Sequence, residues 1–235
     1  MAYKRLPESD EERLMILRTI LEQEEVSEEQ EKVLSIVEFH ELRYFINSFV
    51  ATDTIYNQAV ADKGNAITQN NELFKNAKLY ISHFIQVLFL TVIRNEIKAE
   101  NLTLYGLQEN NYVLPDLSTV EDVLKWGEIL MQGEAERIYR GGIPLYNPAI
   151  AKVKVHYEVF KESIYSLTIY EKNLLRMLNN MEDMRKKADD LIMDIWNKVE
   201  EHYCLFLPDE QTLKFKAYNI HSVYKKGEQL NVFDM

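Results

Sequence analysis

Glycine and proline are scarce in this chain, seven and five among 235 residues. β-Sandwiches and barrels need a turn roughly every 8–12 residues, so their many short strands are excluded in favour of few, long elements. Cysteine is nearly absent. The single Cys204 rules out an intramolecular disulfide framework and fits a reducing compartment. Set among Tyr203, Leu205 and Phe206, it reads as a small buried apolar residue. Positive charge is also short, 27 Lys and Arg against 38 Asp and Glu, for a net charge of −11. Such a surface repels phosphate backbones, so neither nucleic acid nor an anionic membrane is an expected partner. The short runs Arg185-Lys186-Lys187 and Lys225-Lys226 read as solvated helix faces. No apolar h-region follows the basic residues of "MAYKRLPESDEERLM", and the densest apolar run, "FIQVLFLTVI" (84–93), is too short to span a bilayer. A cytoplasmic location is the expectation.

Catalytic signatures are missing as well. The chain has no GxxxxGK[ST] or GxGxxG loop, no GxSxG elbow, no HExxH and no CxxC. Acid pairs such as Asp189-Asp190 and Glu200-Glu201 are sequence neighbours, which point about 100° apart on a helix and do not share a site. No catalytic residue and no cofactor is expected.

What the chain has in abundance is helical period. From Pro148, apolar residues fall at Ile150, Val153, Tyr157, Phe160, Ile164, Leu167, Leu174, Leu178 and Met181, then Met184, Ala188, Leu191 and Ile195. A single rod of about 55 residues would be ~80 Å long and could not bury its seam within one small chain. Asn179-Asn180 is therefore the expected turn, and Asp62-Lys63-Gly64-Asn65 is the corresponding one earlier. The spacing predicts an all-α fold, 1–235 as one domain: an up-and-down four-helix bundle with long helices near 28–61, 67–100, 149–178 and 182–204. Residues 28–100 form the first hairpin, 102–147 a connector with a helix near 118–139, and 148–206 the second hairpin. Residues 207–235 form a C-terminal appendage, in which "IHSVY" (220–224) reads as extended, with "IPLY" (143–146) as its candidate partner in a two-stranded patch. Capping-box spacings at Ser9 with Glu12, Ser27 with Gln30 and Ser118 with Glu121 open helices, and Asn147-Pro148 reads as an N-cap followed by proline. "KNAKLYISHFIQVL" (75–88) set against "KKADDLIMDIWNKV" (186–199) aligns Lys75 with Lys186, Ala77 with Ala188 and Ile81 with Ile192. A duplication is one reading of that match, and the general apolar match of amphipathic helices is the other.

Two groups of residues invite chemistry. His40, His83, His156 and His202 fall one on each expected long helix, and bundles build metal sites from inward side chains on facing helices. Their heights along the bundle allow two pairs, His40 with His83 and His156 with His202, but no four-ligand plane; of the four, His40 and His202 are expected to face inward. The second group is "GEAERIYRGGIPLYNPAI" (133–150). Arg137, Arg140, Gly141 and Gly142 could hold an anion, but these glycines follow a helix rather than precede one. A helix C-terminal elbow, with the arginines at the carbonyl end of the dipole, is the favoured reading.

Trp126, Gly127, Gly133, Glu134, Arg137, Gly141 to Pro144 and Asn147-Pro148, together with "ADDLIMDIWNKVEEHY" and the following Leu207-Pro208, resemble a group of uncharacterised all-helical proteins of Bacteroidota. The resemblance covers the C-terminal 115 residues or so and implies a helical bundle with a short appendage, without implying an activity. The function expected is a non-enzymatic protein-interaction or scaffolding module, its partner another protein or a second copy as a homodimer. The alternative is a metal- or small-ligand-binding bundle that uses the histidines and nearby carboxylates.

Overall fold

The computed structural model describes residues 3–109, 111–220 and 222–223. Its elements run β1 (Tyr3–Lys4), α1 (Asp10–Val26), α2 (Ile36–Ile93), a 3-10 segment (Ala99–Tyr105), α3 (Val120–Tyr139), α4 (Ile150–Tyr203), α5 (Pro208–Ala217) and β2 (Ser222–Val223). The chain is all-α, as its composition required. The expected hairpins are absent: residues 62–65 lie within α2 and residues 179–180 within α4, so each expected helix pair is one helix. Asn, Asp and a lone Gly are poor helix formers, but they do not forbid helical backbone as proline does.

The starts also differ from the expected ones. Ser9 caps α1 through Glu12 N–H, as its spacing implied. Ser27 instead ends α1, its hydroxyl donating to Gln23 O, and the capping box of α2 is Ser35 with Glu38. The box of α3 is Thr119 with Asp122, one residue beyond the expected pair. The Asn147–Pro148 bond is cis and α4 starts only at Ile150. Ile143 to Tyr146 form no strand; Ser222–Val223 pairs antiparallel with Tyr3–Lys4 instead. His221 and residues 224–235 of the expected appendage lie outside the described residues.

By contacts the chain divides into two compact units, unit 1 comprising Met1–Ala59 and Leu174–Met235, unit 2 Val60–Asn173. The single bundle core read from the sequence is replaced by two apolar clusters, one in each unit. In unit 1, Ile16, Leu17 and Ile20 of α1 are buried with Leu42, Ile46 and Phe49 of α2 and with Ala188, Ile192, Trp196 and Val199 of α4. Arg13 to Asp189 (2.8 Å) and Arg185 to Asp10 (2.7 Å) link α1 to α4. In unit 2, Ala77, Ile81, Phe84, Ile85 and Leu88 of α2 are buried with Val123 and Leu130 of α3 and with Val153 and Phe160 of α4. There α2 and α4 run antiparallel, matched by Asn70 with Ser163, Phe74 with Phe160, and Tyr80 with His156. The long seams are thus covered in two places, and between residues 161 and 180 no side chain of α4 is buried. One 18-residue window of α2 is apolar enough, by length and composition, to cross a membrane, with mean hydropathy 1.3, and 44% of it is buried within the structure.

The two halves of the chain repeat one plan: a short helix, a long helix, then a helix of about two or three turns closed by a left-handed residue. The buried α1 positions Arg13, Leu17, Ile20 and Glu24 match the buried α3 positions Val123, Gly127, Leu130 and Glu134. In the long helices, Leu42, Ile46 and Phe49 match Val153, Tyr157 and Phe160, while Ala77, Ile81, Phe84, Ile85 and Leu88 match Ala188, Ile192, Ile195, Trp196 and Val199. Gly106 (φ 67°) and Asn219 (φ 59°) close the short ends in the left-handed region. Volume is exchanged across the repeat. A Cβ on Gly127 would lie 2.3 Å from the Tyr157 ring, whereas the matching positions in unit 1 are Leu17 and Ile46. The match at 75–88 and 186–199 is therefore one section of a longer agreement in which positions are buried.

Gly64 lies inside α2 with open space where a Cβ would stand. Gly64→Ala should therefore raise stability by roughly 0.5–1 kcal/mol, read as a higher urea midpoint at unchanged slope. A loss of stability would mean that the residue turns the chain.

Candidate functional site

The 133–150 stretch is first of all a helix end. Gly141 has φ 88° and donates its N–H to Ile138 O, while Gly142 N–H donates to Arg137 O. That pair of bonds is the Schellman closure of α3, which calls for a left-handed residue at Gly141. A Cβ on Gly142 would meet Arg137 O at 2.8 Å. The two glycine N–H groups are spent on the helix, so the loop offers no nest of donors.

Arg137 turns inward. Its guanidinium donates to Glu134 (2.9 and 3.0 Å), to the Tyr105 hydroxyl (2.7 Å) and to Ile143 O (2.8 Å). Glu134, fully buried, also accepts from Tyr105 and from Leu145 N–H at 3.0 Å. Burial and the carboxylate both push the Tyr105 phenol above its ordinary pKa. Unit 1 carries the matching device. Buried Glu24 accepts from Tyr218 hydroxyl (2.7 Å) and from Val33 and Leu34 N–H, and burial raises the Tyr218 phenol likewise. In both units a carboxylate on the short helix holds the following link by its backbone and is closed by a tyrosine from the other half of the chain. Unit 2 alone adds an arginine, since Ser27 stands where Arg137 does.

Beside the elbow lies a cleft of about 1010 Å³, wholly within unit 2. Four cations line it, Arg94, Lys98, Arg137 and Arg140, along with His83, against one carboxylate, Glu96. Val87, Leu90, Ile97, Leu145 and Tyr146 give it apolar surface. Arg140 is paired with Glu136 at 2.7 Å in an exposed bridge. The tertiary structure thus brings Arg137, Arg140, Gly141 and Gly142 together with His83, Arg94 and Lys98. The last two were not legible as site residues: "RNEIK" (94–98) reads only as the end of an apolar run. Tyr105 was missed too; the only trace of it is Glu134 and Arg137, spaced i, i+3 on an otherwise apolar face.

Unit 1 has a groove of about 750 Å³ between α2 and α4, lined by Val37, His40, Glu41, Tyr44, Phe45, Leu191 and Ile195 among others. Val37 and Tyr44, which flank His40 on one helical stripe, are 66% and 77% exposed. The buried face of α2 is instead that of Leu42, Ile46 and Phe49, so His40 faces out. Lys198 bridges Glu38 (2.6 Å) and Asp194 (2.8 Å) at the groove's edge. Its ammonium and the Ser35 hydroxyl and N–H hold the Glu38 carboxyl down at about 2.

The histidine pairs are not assembled. His40 and His83 stand on the same helix, α2, and His156 and His202 on α4, about twelve and about thirteen turns apart. His156 stacks on Tyr80 at 3.9 Å, and exposed His202 lies edge-on to Tyr203. Among the described residues, no group of three His, Cys, Asp or Glu could hold a metal ion. Cys204, expected to be buried, is exposed because α4 ends at Tyr203 and the thiol falls in the turn beyond. No family model matches the chain, and no curated protein or solved structure does either.

Glu134→Ala leaves a buried guanidinium without its carboxylate and should cost ~3–5 kcal/mol, whereas Gly141→Ala should cost on the order of 1 kcal/mol, both read by urea unfolding. For Glu38, the folded pKa lies below the ordinary value of about 4.3. Its contribution is therefore complete above that pH and is lost as pH falls toward about 2. Glu38→Gln should flatten that part of the stability curve, by less than ~1 kcal/mol because the pair is partly exposed.

Proposed function

We propose that the protein is a non-enzymatic helical binding module of the cytoplasm, and that the groove of unit 1 receives a partner protein. The observation that carries this reading is the apolar wall left open between α2 and α4, where Val37 and Tyr44 stand exposed beside Phe45 and Leu191. Exposed apolar surface lined by polar groups is what an interaction site needs. Lys187 and Glu41 on its rim have no ion-pair partner among the described residues and supply one charge of each sign. An amphipathic helix seated there, apolar at i, i+3 or i+4 and i+7, with an acid toward Lys187 and a base toward Glu41, would use the groove fully. A second copy in a homodimer is the other occupant. The absence of catalytic motifs in the sequence supports binding rather than turnover. The hydrogen bonds of Tyr105, Glu134 and Arg137 to one another point the same way, since they act as a clamp.

A photo-reactive side chain at position 44 of the full chain tests the reading. It should cross-link one protein in host cells, or the chain itself, at high yield, and Val37→Glu should abolish the product while circular dichroism stays unchanged. Diffuse cross-linking at background level with a monomeric mass in light scattering would overturn it.

A further inference from the structure

The cleft of unit 2 raises a question that the groove does not. Cations gather there in a chain whose net charge is −11. One explanation is purely structural. α2 ends at Ile93 and α3 at Tyr139, so the cleft lies at two helix C-termini, where a cation is stabilised by ~0.3–1 kcal/mol. The end carbonyls themselves do not need these side chains. Thr91 O accepts from Glu96 and Ile97 N–H, Val92 O from Asn95 N–H, and Arg137 and Ile138 O from the glycines.

Unit 1 is the internal control for that explanation. It contains the matching helix ends, those of α1 at Val26 and α4 at Tyr203, in the same repeated plan. If dipole compensation required the cations, they would recur there. They recur only in part: α4 carries His202 in its last turn, and Lys214, which lies over the Tyr203 ring, is spent on Glu31. The last turn of α1 has no basic residue and is followed by Ser27, Glu28, Glu29, Gln30 and Glu31. α4 is followed by Cys204, Leu205, Phe206 and Leu207, so Leu205 stands where Arg94 does, and Asp194 stands where His83 does. The same helix ends therefore form with one histidine and one lysine already paired with an acid, and the surplus of cations in unit 2 is not a demand of the fold.

Nor are these cations consumed internally. Arg137 is bound by Glu134 and Ile143 O, but Arg94 and Lys98 are exposed and have no ion-pair or side-chain hydrogen-bond partner among the described residues. Arg140 is held only by the exposed bridge to Glu136, which costs little to break. Asn101, whose side-chain amide has no hydrogen-bond partner among the described residues, adds to the lining.

We propose that this cleft is a binding site for a small organic anion. A carboxylate or phosphate head is held by Arg94 and Lys98, with Arg140 recruited from Glu136, and an apolar body rests on Val87, Leu90, Ile97 and Leu145. The cleft's volume suits a ligand of that size. The inference does not depend on the groove of unit 1, and it assigns no chemistry to the bound molecule.

Calorimetric titration of the full chain with phenyl phosphate and with benzoate tests it and separates the two head groups; inorganic phosphate and benzyl alcohol report head and body alone. At least one of the first two should bind saturably, more tightly than either fragment. The double change Arg94→Gln with Lys98→Gln should weaken that binding tenfold or more, while Lys186→Gln in unit 1 leaves it unchanged. The thermal midpoint of the double variant should stay within a degree or two of the parent. Saturable binding that ignores the double change would overturn the proposal, as would no binding of any probe up to several millimolar. A midpoint that falls by many degrees, with binding by the folded fraction unaltered, would return the cations to the helix ends and overturn it equally. Should the double variant not fold, Arg94→Lys with Lys98→Arg keeps both charges, and loss of binding there would count against the assigned geometry.

Discussion

A carboxylate that loses its water must find donors inside the protein, and the short links of this chain are organised around two that do. Glu24 and Glu134 are almost completely buried, and each takes a backbone N–H from the link after its own helix and a hydroxyl from a distant tyrosine. Each bond ties together pieces that are far apart in sequence, 24 with 218 and 105 with 134. Without Glu134, the end of α3, the link to α4 and the 3-10 segment would lose their common anchor. The elbow at Gly141 depends on the same anchor, since Arg137 reaches Ile143 O only while its other donors are held by Glu134 and Tyr105.

The repeat explains how two helices of such length can serve one small chain. α2 has 58 residues and α4 has 54. Neither buries a continuous seam. Each presents one apolar stretch to the core of unit 1 and another to the core of unit 2, and a short helix, α1 or α3, completes the packing in each. Where unit 1 has Leu17 and Ile46, unit 2 has Gly127 and Tyr157, and the tyrosine ring takes the space that a side chain on Gly127 would need. Three of the differences between the halves, Arg137 for Ser27, Arg94 for Leu205 and His83 for Asp194, lie at one cleft.

Much of the architecture could be read directly. Helical period, the scarcity of glycine and proline, the Ser9 cap and the end of α3 at Gly141-Gly142 are local properties, set by backbone preferences within a few residues. The stripe from Val153 to Ile195 was legible because periodicity reports which face is apolar. It does not report what covers that face. The expected turns at 62–65 and 179–180 failed for this reason: weak helix formers were judged against a single core, and two separate cores remove the need to fold the rods back. His40 was misread likewise, because Val37 and Tyr44 form a stripe as good as that of Leu42, Ile46 and Phe49, and only tertiary packing chose between them.

By itself, then, the sequence determined that the chain is helical, where α3 must stop and that its surface is acidic. These follow from dihedral preferences, the missing Cβ of glycine and a charge count. Only the tertiary structure decided that Arg94 and Lys98 meet Arg137 and Arg140, that Tyr105 closes on Glu134 and Tyr218 on Glu24, and that each expected histidine pair is spread along a single helix. Each of these depends on side chains dozens of residues distant being brought to one place. Neither residue type nor local spacing encodes that; it follows from which apolar faces bury each other.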